Sequence, residues 1–202
     1  MNDREPWNHN IHYHPVLLSA LPRGARRALD VGCGDGMLTR KLRQKVLEVI
    51  GIDLSAAAVE LARSHPAAID IIYLEGDLLT ITLEPESFDM VCCVATLHHL
   101  EATSAILRMR RLVRPGGTLG IVGLARSGLL DAPRNAAGRI ASMWRVRRRA
   151  WHEPPTRVHW PPPESYADMQ RIVKQLLPEA EFRRRLFARY TVIWRKPVAS
   201  MR

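Results

Sequence analysis

The chain has 202 residues, 47% of them hydrophobic and 25% charged, and a formal net charge of +10. That length serves one substantial core and is cramped for two, and the composition excludes disorder over most of the chain. A field of this sign attracts nucleic acid, anionic membrane surfaces or acidic small molecules without choosing among them.

Residues 1–25 form an N-terminal segment that starts with Asp3, Arg4 and Glu5 among its first residues and has no apolar h-region, so no secretory signal is read there. The longest apolar stretches, Met90–Leu97 and Leu119–Ala125, are too short to span a bilayer. A cytoplasmic protein is expected. Within the segment, Asn8 to His14 is the densest polar and aromatic cluster of the chain, although surface histidines would read the same way.

Residues 26–124 alternate aliphatic runs with helical patterns. The runs Ala28–Val31, Val46–Ile52, Ile69–Leu74, Phe88–Val94 and Thr118–Leu124 lack polar alternation, as strands covered on both faces do. Between them the pattern predicts helices over Met37–Lys45, over Ala56–Ser64 with Ser55 as N-cap, and over Thr103–Val113, plus a short helix near Leu79–Pro85. Arg114-Pro115-Gly116-Gly117 stops the third helix and turns the chain into the next strand. The order predicts a doubly wound α/β fold around a parallel sheet.

After about residue 125 the composition changes. A helix rich in arginine is expected from about Asp131 to Ala150, with Ala137, Ile140, Ala141 and Trp144 as its apolar face. Pro154, Pro155 and Pro161–Pro163 follow as a stiff stretch, then a helix over Glu164–Leu177 closed by Pro178. Residues 125–178 thus precede a closing strand pair within 179–197 that reverses near Ala188. Trp144, Trp151 and Trp160 read first as packing residues, the latter two also as walls of a substrate pocket. Cys33, Cys92 and Cys93 are an odd, badly spaced set for disulfides or zinc, so buried reduced thiols and no metal are expected.

Three glycines, Gly32, Gly34 and Gly36, lie directly after the first buried strand and before a helix, where the backbone can turn tightly and a ligand can approach. A dinucleotide turn would need its third glycine one residue later, where Met37 stands. Asp30, Asp53 and Asp77 fall at three successive strand ends and converge on the carboxyl edge of the sheet, the ligand crevice of open α/β folds.

Taken in order, Asp30-Val31-Gly32-Cys33-Gly34-Asp35-Gly36, Asp53, Gly76-Asp77, Phe88-Asp89-Met90-Val91 and Leu112-Val113-Arg114-Pro115-Gly116-Gly117 resemble the motifs of class I S-adenosylmethionine-dependent methyltransferases. The match is nearest to the small-molecule branch that includes the ubiquinone and menaquinone biosynthesis type, and it covers about half the chain. The resemblance implies a single Rossmann-like domain with a seven-stranded, mostly parallel sheet and an antiparallel C-terminal strand. It implies S-adenosylmethionine as cofactor and S-adenosylhomocysteine as product. Asp30, with the Gly32 backbone, would hold the methionyl ammonium, Asp53 the ribose, Asp77 the adenine amino group, and the Leu78 backbone a ring nitrogen. Cys33, Gly34, Gly36, Leu54 and Val94 would complete the cofactor site.

Methyl transfer from a sulfonium is an in-line displacement, so alignment in a dry site is the main task of the protein. An acceptor hydroxyl or protonated amine also needs a base, and histidine suits that near neutral pH. His98 and His99, after the fourth strand, are candidates, as are His12, Tyr13 and His14 in an N-terminal lid. The expected acceptor is an anionic or aromatic small molecule, methylated on oxygen, nitrogen or carbon. Nucleic acid is disfavoured because no Asn-Pro-Pro-Tyr-like segment follows the fourth strand and neither Cys92 nor Cys93 follows a proline. A nicotinamide-dependent oxidoreductase or a non-catalytic partner subunit could be built on the same fold. The arginine helix reads as a solvated basic face or as a contact for an anionic acceptor or a membrane surface.

Overall fold

The computed structural model describes residues 5–128, 131–153 and 161–198. Pro154, Pro155 and Trp160 lie outside the described residues. In chain order the elements are β1 (Pro6–Trp7), α1 (His14–Ser19), β2 (Arg27–Val31), α2 (Met37–Arg43), β3 (Glu48–Asp53), α3 (Ala56–Ser64) and β4 (Ile71–Glu75). They continue with β5 (Phe88–Val94), α4 (Ala102–Leu112), β6 (Val113–Leu124), α5 (Ala132–Val146), β7 (Ala150–Trp151), α6 (Tyr166–Leu176), β8 (Glu181–Arg184) and β9 (Arg189–Arg195).

Seven strands form one sheet in the order β4-β3-β2-β5-β6-β9-β8. β2 to β6 run parallel, and β9 enters antiparallel between β6 and β8. The expected doubly wound, mostly parallel sheet with an antiparallel C-terminal strand is therefore the observed one. Its order reverses beside β2, which places the ends of β2 and β5 at the switch point where α/β folds open a crevice.

The aliphatic runs are buried because both faces are covered. Alternate residues of β5 show this: Val91 and Cys93 join a cluster with Ile106 and Met109 of α4 and Met169 and Val173 of α6. Met90 and Cys92 point to the opposite side and pack with Leu17 of α1 and Leu38 and Leu42 of α2. The side-chain period of a strand thus divides one hydrophobic run between two cores. α3 begins at Ser55, whose side chain accepts from Ala58 N, and α6 begins with reciprocal bonds between Ser165 and Asp168.

Several expectations are corrected. Leu79–Pro85 is a turn and not a helix: Thr80 N and Ile81 N both donate to Asp77 O, and Arg108 fastens the segment by donating to the carbonyls of Leu78 and Ile81. Asp77 Oδ1 also takes the Leu79 N–H, the side-chain bond of an Asx turn. The Arg114–Gly117 turn lies inside β6 as an irregularity, because Phe88 pairs with Val113 while Met90 pairs with Thr118.

α5 is shorter than expected, and of its expected apolar face only Ala141 packs inward while Ala137, Ile140 and Trp144 are exposed. Ile140 and Trp144 are 66% and 54% exposed, while Gly138 is buried against the backbone of Phe187. Close approach at Gly138 turns the small-residue side of α5 inward. The parallel pair of β1 with β7 has no counterpart among the expected elements; it ties the N-terminal segment to the chain just after α5.

Candidate active site

A cleft of about 460 Å³ opens at the carboxyl ends of β2, β3 and β5. Its floor is the turn after β2. Gly32 N and Cys33 N both donate to Ile52 O, which bends the chain over β3, and Gly32 and Gly36 sit at φ +67° and +76°. A Cβ on Gly32 would collide with the Thr96 side chain, and one on Gly36 with the Tyr73 hydroxyl. The turn is held against the sheet so closely that only hydrogen fits at either position.

The acidic strand ends converge as the sequence suggests. Asp30 is buried, with Oδ2 accepting a 2.7 Å hydrogen bond from Thr39 Oγ1. Burial pushes its carboxyl up to about 7, against the Thr39 bond that favours the carboxylate. Asp53 ends β3, where Oδ2 accepts from Gly34 N and Oδ1 from Ser55 N, both at 2.9 Å. Asp77 follows β4 in the turn fastened by Arg108. All three line the cleft, together with Gly32, Cys33, Gly34, Leu54, Leu78 and Val94. Gly36 lies below it, supporting the turn. The Cys33 thiol is raised by burial, so this sulfur is a neutral wall and no nucleophile.

The other wall comes from the N-terminal segment. Asn8 Oδ1 accepts from Asn10 N and Ile11 N, and Asn8 Nδ2 donates to His152 O. Asn8, Asn10, Ile11 and His14 thereby form a strap along the cleft, joined by His152 from beyond β7. His152 Nε2 lies 2.7 Å from Asp35 Oδ2, so strap and glycine turn meet across a histidine–carboxylate pair. His14 is buried, and its Nδ1 has no hydrogen-bond partner among the described residues. Burial, then the charge of Lys41, lowers it to about 3, which keeps it neutral.

The candidate bases separate. His14 and His99 line the cleft, whereas His98 is buried beside His99 and does not. His12 and Tyr13 turn away from it. His12 packs against Trp7 and Phe187, and Tyr13 Oη donates to Leu186 O, with burial raising the phenol to about 12. The cause is local: a single 3-10 turn over Ile11–Tyr13 sends consecutive side chains to different sides before α1 begins at His14. Asp35 and His152 are site residues that the sequence does not single out. Asp35 stands inside the glycine motif; beside His152 the sequence offers only Trp151 as a pocket wall, and the cleft is lined by His152 and not by Trp151. Among the described residues no group of three or more metal-ligating side chains is gathered.

Comparison with known proteins agrees with this geometry. Residues 29–121 match the methyltransferase domain family. An uncharacterized methyltransferase of Mycobacterium tuberculosis is 38% identical over 199 residues, covering 96% of this chain and 99% of the relative. This chain is a class I S-adenosylmethionine-dependent methyltransferase. Two further likenesses frame it. The ubiquinone biosynthesis O-methyltransferase of Alkalilimnicola ehrlichii is 39% identical over 97 residues, 46% of this chain and 39% of that one. In fold, the PH0226 protein of Pyrococcus horikoshii superposes with a TM-score of 0.66 at 16% identity, over 91% of this chain and 88% of that one.

The residues of the methyltransferase site fit the cofactor of its family. The ligand carries an ammonium and a sulfonium, and the cleft offers a buried carboxylate whose charged form gains stability from a nearby cation. The absence of a Cβ at Gly32 and Gly36 keeps the turn flat beneath it.

Proposed function

We propose that this methyltransferase methylates a hydroxyl of a small, aromatic or anionic acceptor held between the strap and the ends of β2 and β5, with His152 as the base. S-adenosylmethionine supplies the methyl group on its sulfonium. Asp30 and the Gly32 backbone hold the methionyl ammonium, Asp53 the ribose hydroxyls, and Asp77 with the Leu78 backbone the adenine edge. Asn10 and His14 orient the acceptor, and the neutral His14 does so by hydrogen bonding rather than by charge. With Nε2–H donated to Asp35, Nδ1 of His152 carries the lone pair that takes the acceptor proton, and the carboxylate steadies the resulting imidazolium.

The observation that carries this reading is the meeting of His152 and Asp35 at 2.7 Å on the wall of the same cleft that gathers Asp30, Asp53 and Asp77. A cleft of about 460 Å³ is in the usual range for small-molecule sites. The partial match to ubiquinone biosynthesis O-methyltransferases favours oxygen as the methylated atom.

Calorimetry with S-adenosylmethionine and S-adenosylhomocysteine, with reduced nicotinamide dinucleotide as control, tests the cofactor half. A screen of phenols and aromatic carboxylates then tests the acceptor half. With an acceptor in hand, His152→Ala is expected to lower kcat on the order of 100-fold while leaving cofactor affinity unchanged. Activity confined to nucleic acid, or His152→Ala with an unaltered pH profile, overturns the corresponding part.

A further inference from the structure

α5 presents to solvent what a core helix would hide. Ile140, Met143 and Trp144 recur at helical spacing on its outer side and are 66%, 65% and 54% exposed, with Val146 beside them. Arg139, Arg147 and Arg148 are exposed around this stripe, and the Arg148 guanidinium lies 3.8 Å from the centre of the Trp144 ring.

We propose that the outer face of α5 is a docking surface for an anionic lipid bilayer, on which the helix lies in the interface with Ile140, Met143 and Trp144 turned into the acyl boundary. An apolar stripe bordered by arginines, with tryptophan at its margin, is the arrangement that binds such an interface. The charges select this occupant. A second copy of the chain packed on the same face about a two-fold axis would bring two arginine clusters together and desolvate like charges. A nucleic acid would satisfy the arginines and leave Ile140 and Met143 in water.

The inner side of α5 gives the contact a consequence for the cleft. Ser142 Oγ lies 3.1 Å from His9 Nε2, Arg145 stacks over Trp7, and Arg149 pairs with Glu5. β7 then holds β1, so the helix that meets the bilayer also clamps the strap whose Asn8, Asn10 and Ile11 wall the cleft.

The test is flotation of the full chain with vesicles of phosphatidylglycerol mixed equally with phosphatidylcholine, against vesicles of phosphatidylcholine alone. The expected result is binding to the anionic vesicles only, weakened by salt, and reduced on the order of tenfold or more by either Ile140→Ser with Trp144→Ser or Arg147→Glu with Arg148→Glu. Both pairs are surface changes, and thermal melts check that the fold is intact. The vesicle comparison and the salt titration need no variant and stand if one misfolds. Equal binding to both vesicles, binding to neither, or unchanged binding by both folded variants overturns the proposal. So does a dimer in sedimentation equilibrium that the Ile140→Ser, Trp144→Ser pair dissolves.

Discussion

Thr39 Oγ1 donates to Asp30 Oδ2 from the first turn of α2, so a helix that leaves the glycine turn also steadies the carboxylate at the start of that turn. Hydrogen bonding from Thr39 does not offset complete burial, and Asp30 stays up at about 7. The carboxylate is therefore held in a state that a cationic ligand relieves.

Cofactor affinity is expected to rise with pH. Below about pH 7 the neutral Asp30 must release its proton before it can compensate an ammonium, so affinity falls by up to about tenfold per pH unit. Calorimetry at pH 6 in buffers of different ionisation heat should register proton release on binding. Asp30→Asn should lower affinity at pH 8 and abolish the pH slope; a slope that survives in this variant removes Asp30 from the role.

Stability has a different pH dependence. His14 is lowered to about 3 and His9 to about 4, so between those values and the unfolded value of 6.5 the unfolded chain binds more protons. Stability from these two groups is present above pH 6.5 and is lost as pH falls through that window. Asp30 acts in the opposite sense: its folded value is raised, so stability is lost as pH rises from about 4 to about 7. Two histidines against one carboxylate predict net acid lability below pH 6. Urea melts across pH should show it, and His14→Phe should flatten the acid limb; an unaltered limb shows that His14 protonation does not drive it.

Asp89 joins three strands. Oδ2 accepts from Arg26 N and Arg27 N at the start of β2, and the carboxylate pairs with Arg114 in β6. Asp89 is 1% exposed, so Asp89→Ala would leave two backbone donors without their acceptor. A loss of about 2–4 kcal/mol in urea melts is expected, with cofactor affinity in the surviving folded fraction unchanged, because Asp89 lies at the opposite end of β5 from the cleft.

What the sequence makes legible is local. Unbroken aliphatic runs identify buried strands, and Asp30, Asp53 and Asp77 stand at fixed distances from them, so convergence follows from the fold. The N-terminal segment reads as a lid, but the partner that fixes it as a strap is not legible. Asn8 reaches His152, and His152 reaches Asp35, through contacts between distant parts of the chain that no local pattern encodes. The helical period of α5 groups Ile140 with Trp144 correctly but says nothing about what covers them, and Gly138 under Phe187 decides the matter. His12 and His14 are two residues apart, and a change from 3-10 to α geometry between them sends one into an aromatic cluster and the other to the cleft.

Asp53 differs from Asp77 in how much of the site depends on it. Both oxygens of Asp53 already hold backbone donors, Gly34 N from the glycine turn and Ser55 N at the cap of α3, so the carboxylate orders the turn as well as facing the cleft. Among the described residues, the Asp77 carboxylate holds only the Leu79 N–H of its own loop. Asp53→Ala is thus expected to weaken S-adenosylmethionine binding by about 1–3 kcal/mol through loss of the ribose acceptors, and to cost a further 1–2 kcal/mol or so of folding stability as two donors lose their partner. Asp77→Ala should weaken binding by a comparable amount with little change in the melt. Calorimetry paired with thermal melts on the two variants separates these effects. Equal stability losses in both would mean that the Gly34 and Ser55 bonds do not order the turn, and unchanged affinity in folded Asp53→Ala would remove the ribose from Asp53.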